Sequence, residues 1–427
     1  MSVLSAIAVD SVSKMSAGPG LFTSPDAKKT RAGPGPSLAG VRVAMIYDCF
    51  FPLTVGGGER WYRFVAESLV EAGADVTYLT RRQWDDEAPE IPGLRIVAVS
   101  RADDLYDKRG SRRVGPTLRF GLGVGRYLAT HRGAFDIVEV ANFPFWSLLA
   151  ARLALLGTRV PVVVDWHEIW SLAYWRSYAG WLTGSIGFAV QRLCAAASAH
   201  PIVSSSRNRD RLVAAGCPND AVVLAGYLPA HAPSADADPS RVRPIRPIVA
   251  FAGRHIHDKG VDLLADIAAE LADLGQRVEL VVAGDGPGRG PLEAEVAARG
   301  LPVRCVGFVG DDELRTLLRS ASCVVVPSRR EGYGLVAVEA TSHGTPVVVV
   351  GFEENLAIDH VEDGRNGYVA DPPIASAIAG RIAEVIDAGE PLRRSTLAWY
   401  RDAAGSRTVG HSMRQVLDLY AHLTKAS

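Results

Sequence analysis

Short apolar runs recur through this chain in two successive series, and that recurrence limits what it can fold into. The first series opens with Val41-Arg-Val-Ala-Met-Ile-Tyr47. It continues through Asp75–Thr80, Leu94–Val99, Ile137–Ala141, Val160–Asp165 and Pro201–Ser204. The second opens with Pro247-Ile-Val-Ala-Phe-Ala-Gly253 and continues through Val278–Ala283, Val303–Gly307, Cys323–Pro327 and Pro346–Val350. Runs this short suit strands buried on both faces. Helical or loop segments separate them, so the pattern predicts α/β architecture with parallel sheets covered by helices. A chain of 427 residues exceeds the usual size of one core, and two domains are expected.

The boundaries follow from composition. Residues 1–40 are rich in Ser, Ala, Gly and Pro and read as a disordered extension. Residues 41–230 form the first domain. The segment 231–246, rich in Pro, Ala and Asp, reads as a linker, and 247–405 forms the second domain. In the terminal segment 406–427, Met413, Val416, Leu417 and Tyr420 fall on one helical face that needs a burial partner.

Bulk properties exclude several classes. A net charge of −1 gives no reason to expect nucleic acid. Five scattered cysteines without a CxxC suit reduced thiols and a cytoplasmic setting. No apolar stretch has the length of a membrane span. Asp10 ends the N-terminal apolar run and no basic segment precedes it, so no secretory signal is expected. Asp236-Ala-Asp238 has the spacing of a metal-binding pair, but its place in a linker argues against metal use.

Chemistry-bearing residues cluster at the ends of the apolar runs. Gly56-Gly-Gly58 follows the first one and reads as a phosphate- or acceptor-facing loop, or as a plain tight turn. The three adjacent glycines do not form the dinucleotide G-x-G-x-x-G. His167, followed by Glu168, ends the run at Asp165. Arg254 and Lys259 follow the run that opens the second domain; two cations there suit a diphosphate, or are ordinary surface charges. In Glu331-Gly-Tyr-Gly-Leu-Val-Ala-Val-Glu339 two carboxylates eight residues apart flank two glycines. A helix starting near Leu335 would present backbone N–H groups to an anion, with the carboxylates free to accept hydroxyl hydrogen bonds. The alternative is a strand–turn–helix with surface glutamates. Residues 101–132 carry eight Lys/Arg against three Asp, and read as a solvated face, a groove for an anionic acceptor or a contact with anionic lipid headgroups. Trp166, Trp170, Trp175 and Trp181 suit core packing, or an aromatic wall for sugar or lipid.

Taken together these motifs resemble the retaining glycosyltransferases of family 4, which have the GT-B fold. The match runs through Gly56–Gly58, His167-Glu168, Gly253-Arg254 with Lys259-Gly260, Ala283-Gly-Asp-Gly-Pro287, Val306-Gly-Phe308, Glu331 to Ala340, Gly344-Thr-Pro-Val-Val348 and Asp363-Gly-Arg-Asn-Gly367. The resemblance covers residues 41–425 and is looser in the first half. It implies two Rossmann-like domains facing across a cleft, with the final helix crossing back to the first. It assigns a nucleotide-sugar donor to the second domain: Arg254 and Lys259 on the diphosphate, backbone N–H groups around Gly334 and Leu335 assisting, Glu339 on the ribose, Glu331 on the sugar ring. Gly57 and Gly58 would approach the phosphates from the other domain, with His167 near the reacting sugar. The implied reaction transfers a hexose-type sugar to a hydroxyl acceptor, with no metal or other cofactor. The acceptor is a sugar, glycan or lipid-linked molecule, which admits peripheral contact with the cytoplasmic face of the membrane. Glu354 and Asn355 lie where the family pattern is altered and are further candidates for sugar hydroxyls. An epimerase or sugar-phosphate synthase on the same fold, or a non-catalytic nucleotide-sugar binder, are the competing readings.

Overall fold

A computed structural model describes residues 35–54, 56–105, 113–228 and 246–426. The first domain holds β1 (Arg42–Ile46), α1 (Gly57–Glu71), β2 (Asp75–Arg81), β3 (Leu94–Ser100), α2 (Val114–Thr130), β4 (Ile137–Ala141), α3 (Phe145–Ala154) and β5 (Val162–Trp166). It continues with α4 (Leu172–Ala179), α5 (Trp181–Ala196), β6 (His200–Val203), α6 (Ser206–Ala214) and β7 (Val222–Val223). Its seven strands run in the order β3-β2-β1-β4-β5-β6-β7.

The second domain holds β8 (Ile248–Ala252), α7 (Leu264–Asp273), β9 (Glu279–Ala283), α8 (Arg289–Arg299), β10 (Val303–Gly307), α9 (Asp311–Ser320) and β11 (Cys323–Val326). Then come α10 (Leu335–Ser342), β12 (Val347–Val350), β13 (Gly367–Ala370), α11 (Ala375–Ala404) and α12 (Val409–Ala426). Its six strands run β10-β9-β8-β11-β12-β13. Every strand pair in both sheets is parallel, as strands buried on both faces require. The α/β class and the two-domain GT-B plan are as expected from the sequence.

In such sheets the strand order reverses where chain direction switches, and the carboxyl ends of the strands there open a crevice. The reversals fall between β1 and β4 and between β8 and β11. Gly56–Gly58 follow β1, Arg254 and Lys259 follow β8, and Glu331 follows β11. Topology alone therefore draws the motif residues of each domain to that domain's own crevice.

The return of the chain differs in its starting point from the boundary at 405. α11 is two helices joined at Gly389, whose backbone is non-helical (φ 53°, ψ −130°), with Pro391 just beyond. Past this break Trp399 and Tyr400 are buried in the first domain's core, so the crossing begins near residue 390. Met413, Val416, Leu417 and Tyr420 join the same core. A parallel bridge pairs Leu228 with Thr408, and Ser412 Oγ accepts from Gly226 N at 2.9 Å. Leu38, placed by composition in the extension, is buried in that core, and its N–H donates to Ala72 O at 2.8 Å. Ordered packing thus starts before Val41. Residues 1–34 and most of the 231–246 linker, with Asp236 and Asp238, lie outside the described residues.

The aromatic cluster divides. Trp166 and Trp175 are core residues, while Trp181 is exposed. Trp170 is half-buried beneath Arg330 (4.7 Å from guanidinium to ring centre). In the basic segment, Asp103 is shared by Arg119 and Arg101, and residues 106–112 lie outside the described residues.

Candidate active site

Two helix starts meet across the cleft. Gly56 is the N-cap of α1, and Gly334, in the left-handed region at φ 90°, is the N-cap of α10. A Cβ on Gly57 would lie 2.8 Å from Leu335 Cδ1, so the two first turns are in contact. A Cβ on Gly58 would lie 2.9 Å from the Tyr47 hydroxyl. At Gly334 both backbone angle and space demand glycine, since a Cβ would sit 2.5 Å from Ala357 Cβ. First turns leave backbone N–H groups without helical partners, and both are electropositive. The turn after β9 closes the floor: a Cβ on Gly284 would strike Gly253 O at 1.9 Å, and His255 N donates to Asp285 O at 2.8 Å.

The predicted cations and carboxylates are partly joined. Lys259 Nζ donates to Glu331 Oε1 at 2.6 Å, and Ser328 Oγ donates to the same oxygen at 2.9 Å. A bridge to Asn355 fixes the Glu331 backbone, with Leu356 N donating to Glu331 O at 3.0 Å. Arg254 is exposed at the end of β8; its side chain meets no hydrogen-bond partner among the described residues. Glu339 lies inside α10 on the side facing Arg60 and Asp311, which pair across the cleft at 2.9 Å. Burial raises the Glu339 carboxyl to about 7, opposed by Arg60 and reinforced by Asp311.

His167 follows β5 directly. Its carbonyl accepts from Asn208 Nδ2 at 3.2 Å, and its N–H points to Asn142 Oδ1 at 3.4 Å. The ring meets Tyr62 edge-on, with centroids 5.5 Å apart. Nε2 faces Asp165 Oδ2 at 3.7 Å, but that oxygen already accepts from Trp61 Nε1 at 2.8 Å. The Glu331 loop reaches this wall: a Cβ on Gly332 would meet Glu168 Cγ at 2.9 Å and His167 O at 3.2 Å.

Several residues at this junction escaped the sequence reading. Arg330 donates to Glu168 and to Asp258 (2.9 Å) and stacks over Trp170 and Tyr174. Burial opposes ionisation of Glu168, but Arg330, the Trp170 N–H and Lys259 outweigh it and hold the carboxyl below its usual range. Tyr333 Oη accepts from Tyr227 N at 2.9 Å. Arg329-Arg330 beside Glu331 was the available signal for this clamp, since two cations at a strand end need partners. Glu354 and Asn355 are both committed to structure. Glu354 accepts from Ser171 N at 3.0 Å and Arg211 Nη1 at 2.8 Å. Asn355, fully buried, accepts from Ala357 N at 3.1 Å and donates to Val350 O at 3.0 Å. Glu354 thus joins the second domain to Ser171 and Arg211 of the first. Among the described residues no group of three or more metal-type side chains converges.

Comparisons with known proteins agree with this geometry. The family described as Glycosyl transferases group 1 matches residues 236–397, and the one described as Glycosyl transferase 4-like domain matches 56–227. A D-inositol 3-phosphate glycosyltransferase of Xylanimonas cellulosilytica is 30% identical over 91% of this chain and 99% of its own length. An alpha-D-kanosaminyltransferase of Streptomyces kanamyceticus is 34% identical over 36% of this chain, and the match spans only 39% of that protein. A sucrose-phosphate synthase from Thermosynechococcus elongatus superposes with a TM-score of 0.74 at 21% identity, covering 91% of this chain and 100% of that one; at that identity the likeness is one of fold. With a full-length relative, both halves matched in order and the crevices facing as described, the chain belongs to the group 1 glycosyltransferases of the family 4 type, with the GT-B fold.

Proposed function

We propose that this glycosyltransferase moves a hexose-type sugar from a nucleoside diphosphate sugar to a hydroxyl acceptor with retention of configuration, in the synthesis of envelope glycans, glycolipids or other glycoconjugates. The carrying observation is the meeting of two helix N-termini at Gly57 and Leu335, on the same crevice as Arg254 and Lys259. Breaking the C1–O bond of the donor places charge on the leaving diphosphate. Fixed cations and oriented N–H groups stabilise that charge without reorganising, the kind of electrostatic effect that dominates many enzymes. In this reading they do the work a metal would do, and the reaction needs none.

Each side chain then has a role. Lys259 and Arg254 hold the diphosphate, with the first turns of α1 and α10. Glu339 accepts hydrogen bonds from the ribose hydroxyls, and Glu331 from the sugar ring. The 2.6 Å Lys259–Glu331 pair couples the two: a diphosphate drawing Lys259 away leaves Glu331 an oxygen for the sugar. His167 stands by the reacting ring. Of the carboxylates near it, Glu168 is engaged by Arg330 and Trp170, and Asp165 is buried with one oxygen held by the Trp61 N–H. That favours attack on the same face as departure: the acceptor oxygen bonds to C1 as the donor C1–O bond breaks, and the acceptor proton passes to the leaving phosphate.

A panel of UDP-, GDP-, ADP- and TDP-sugars tests the reading by thermal shift, followed by turnover with and without acceptors. One donor should raise the melting temperature in wild type and much less in Lys259→Ala. Conversion of that donor to another nucleotide sugar without acceptor would instead indicate an epimerase.

A further inference from the structure

The two faces of the first domain's sheet are covered very differently. On one, α1 and α12 pack over the core that contains Trp61, Phe64 and Met413, and α1 carries Glu59, Glu67 and Glu71. On the other, α2, α3 and α5 bury Phe120, Leu148 and Cys194 in a second core. The helices α2 to α5 contain five arginines and not one Asp or Glu.

That second layer is also where the apolar surface lies. Ten of the fourteen large hydrophobic side chains exposed among the described residues belong to it or to the residue Leu156 just past α3. Isolated exposed apolar residues are ordinary; a contiguous set marks a contact surface. In α5, Leu182, Ile186 and Leu193 recur at helical spacing on the outer side, with exposures of 65, 56 and 56%. Trp181, 69% exposed, begins the same helix, with the Arg176 guanidinium 5.4 Å over its ring. The inner side of α5 sits close because Gly184 and Gly187 leave no room for a Cβ against Trp175. Neighbouring helices extend the surface with Leu122 (74%) and Leu153 (68%), and exposed Arg126 and Arg192 stand among them.

We propose that the outer face of α2, α3 and α5 docks this enzyme on an anionic lipid bilayer, with α5 lying in the interface. α5 is apolar overall with one arginine, Arg192, so its lipid contact rests on the exposed Trp181, Leu182, Ile186 and Leu193 side chains, with Arg126 and Arg176 on the neighbouring helices beside them. Basic side chains near an anionic surface add electrostatic attraction. A second copy of the chain is a poor occupant, because two-fold pairing would set arginine-bearing, acid-free faces against each other. The face is joined to the catalytic crevice. Arg330 stacks on Trp170, and the Trp170 and Tyr178 rings are 5.3 Å apart, so an aromatic path runs from the crevice along α4 to the exposed surface where Trp181 begins α5.

The test uses the full chain and its binding readout needs no donor, so failure to bind leaves the transfer reading untouched. The protein is sedimented with phosphatidylcholine vesicles, with and without phosphatidylglycerol. Binding is expected only with the anionic lipid and should weaken with salt. Arg176→Gln and Arg192→Gln should each weaken it roughly fivefold. Leu182→Asp combined with Ile186→Asp should abolish it while leaving the melting temperature and donor turnover on a water-soluble acceptor unchanged. As an independent reading, brominated lipid should quench part of the tryptophan fluorescence, and Trp181→Phe should remove that part. Equal binding to neutral vesicles, undiminished binding by the Leu182/Ile186 variant, or a wild-type dimer that this variant converts to monomer would each overturn the proposal.

Discussion

Glu339 gives the sharpest test of the donor site, because stability and function should respond to it in opposite directions. Its carboxyl rises from the usual 4.5 to about 7 through burial, a difference worth about 3 kcal/mol. The sign follows from proton counting. Between pH 4.5 and about 7 the folded protein keeps a proton on Glu339 that the unfolded chain has lost, so stability falls as pH rises through this window and then levels off. Glu339→Gln removes the burden and should stabilise the donor-free protein above pH 7 by up to about 3 kcal/mol, with little effect near pH 5. If the carboxylate holds the ribose, the same variant should bind donor more weakly by about 1.5–3 kcal/mol, roughly 10- to 150-fold. Donor binding to wild type should also release a proton near pH 6.5, because hydroxyl donors favour the ionised form. Calorimetry in buffers of different ionisation enthalpy counts that proton, and denaturant melts at pH 5 and 8 read the stability. Wild-type donor affinity in Glu339→Gln would refute the ribose role. Unchanged stability at pH 8 would refute the buried-carboxylate argument.

Other residues give simpler expectations. Lys259→Ala should lower turnover by about 10²–10³, the usual loss when one charge-stabilising contact goes, with Arg254→Ala in the same direction; initial rates on the identified donor check both. Arg330→Met leaves Glu168 and Asp258 facing each other without their shared cation and should destabilise by about 3–5 kcal/mol, seen as an early domain-opening transition in denaturant. Gly334→Ala forces a side chain into the left-handed region against Ala357, and should cost at least about 1 kcal/mol of backbone strain together with loss of donor binding. Tyr420→Phe removes the hydroxyl bound to Glu139 and should cost about 1–3 kcal/mol, loosening α12 first in hydrogen exchange. Burial raises Glu139 to about 8 although the Tyr420 hydroxyl favours the ionised form, so wild-type stability falls as pH climbs from 4.5 to about 8 while the contact itself counts for more once Glu139 ionises.

What could be read from the chain divides along physical lines. Positions tied to strand ends were legible, because a buried strand followed by glycine or a cation is a local pattern and sheet topology then gathers those ends. Hence Lys259 and Glu331, 72 residues apart, meet at 2.6 Å. The Glu139–Tyr420 contact spans 281 residues, and nothing local marks Glu139 as more than one acid in an apolar strand. The break in α11 had a local sign, Gly389 with Pro391, but its consequence is tertiary: it turns Trp399 and Tyr400 into the other domain's core.

The helix α5 shows why the acceptor side was the harder half. Leu182, Ile186 and Leu193 carry the spacing of a core-facing stripe, and a sequence cannot say which side of a helix the core is on. Burial decides it: Gly184, Gln191, Cys194 and Ala195 are buried, Phe188 and Val190 pack partly buried against the same core, and Leu182, Ile186 and Leu193 are left exposed. Exposed apolar side chains at this spacing lower solubility unless a partner covers them. The same ambiguity affected the tryptophans, where Trp166 and Trp175 went to the core and Trp181 to the surface. In the proposed reading the donor side depends on backbone N–H groups and charges fixed at strand ends, so its chemistry is written locally. The acceptor side depends on which surface is left uncovered once the sheet is packed, a property of the assembled domain, and the vesicle experiment on α5 therefore tests the part of this protein that its motifs leave unspoken.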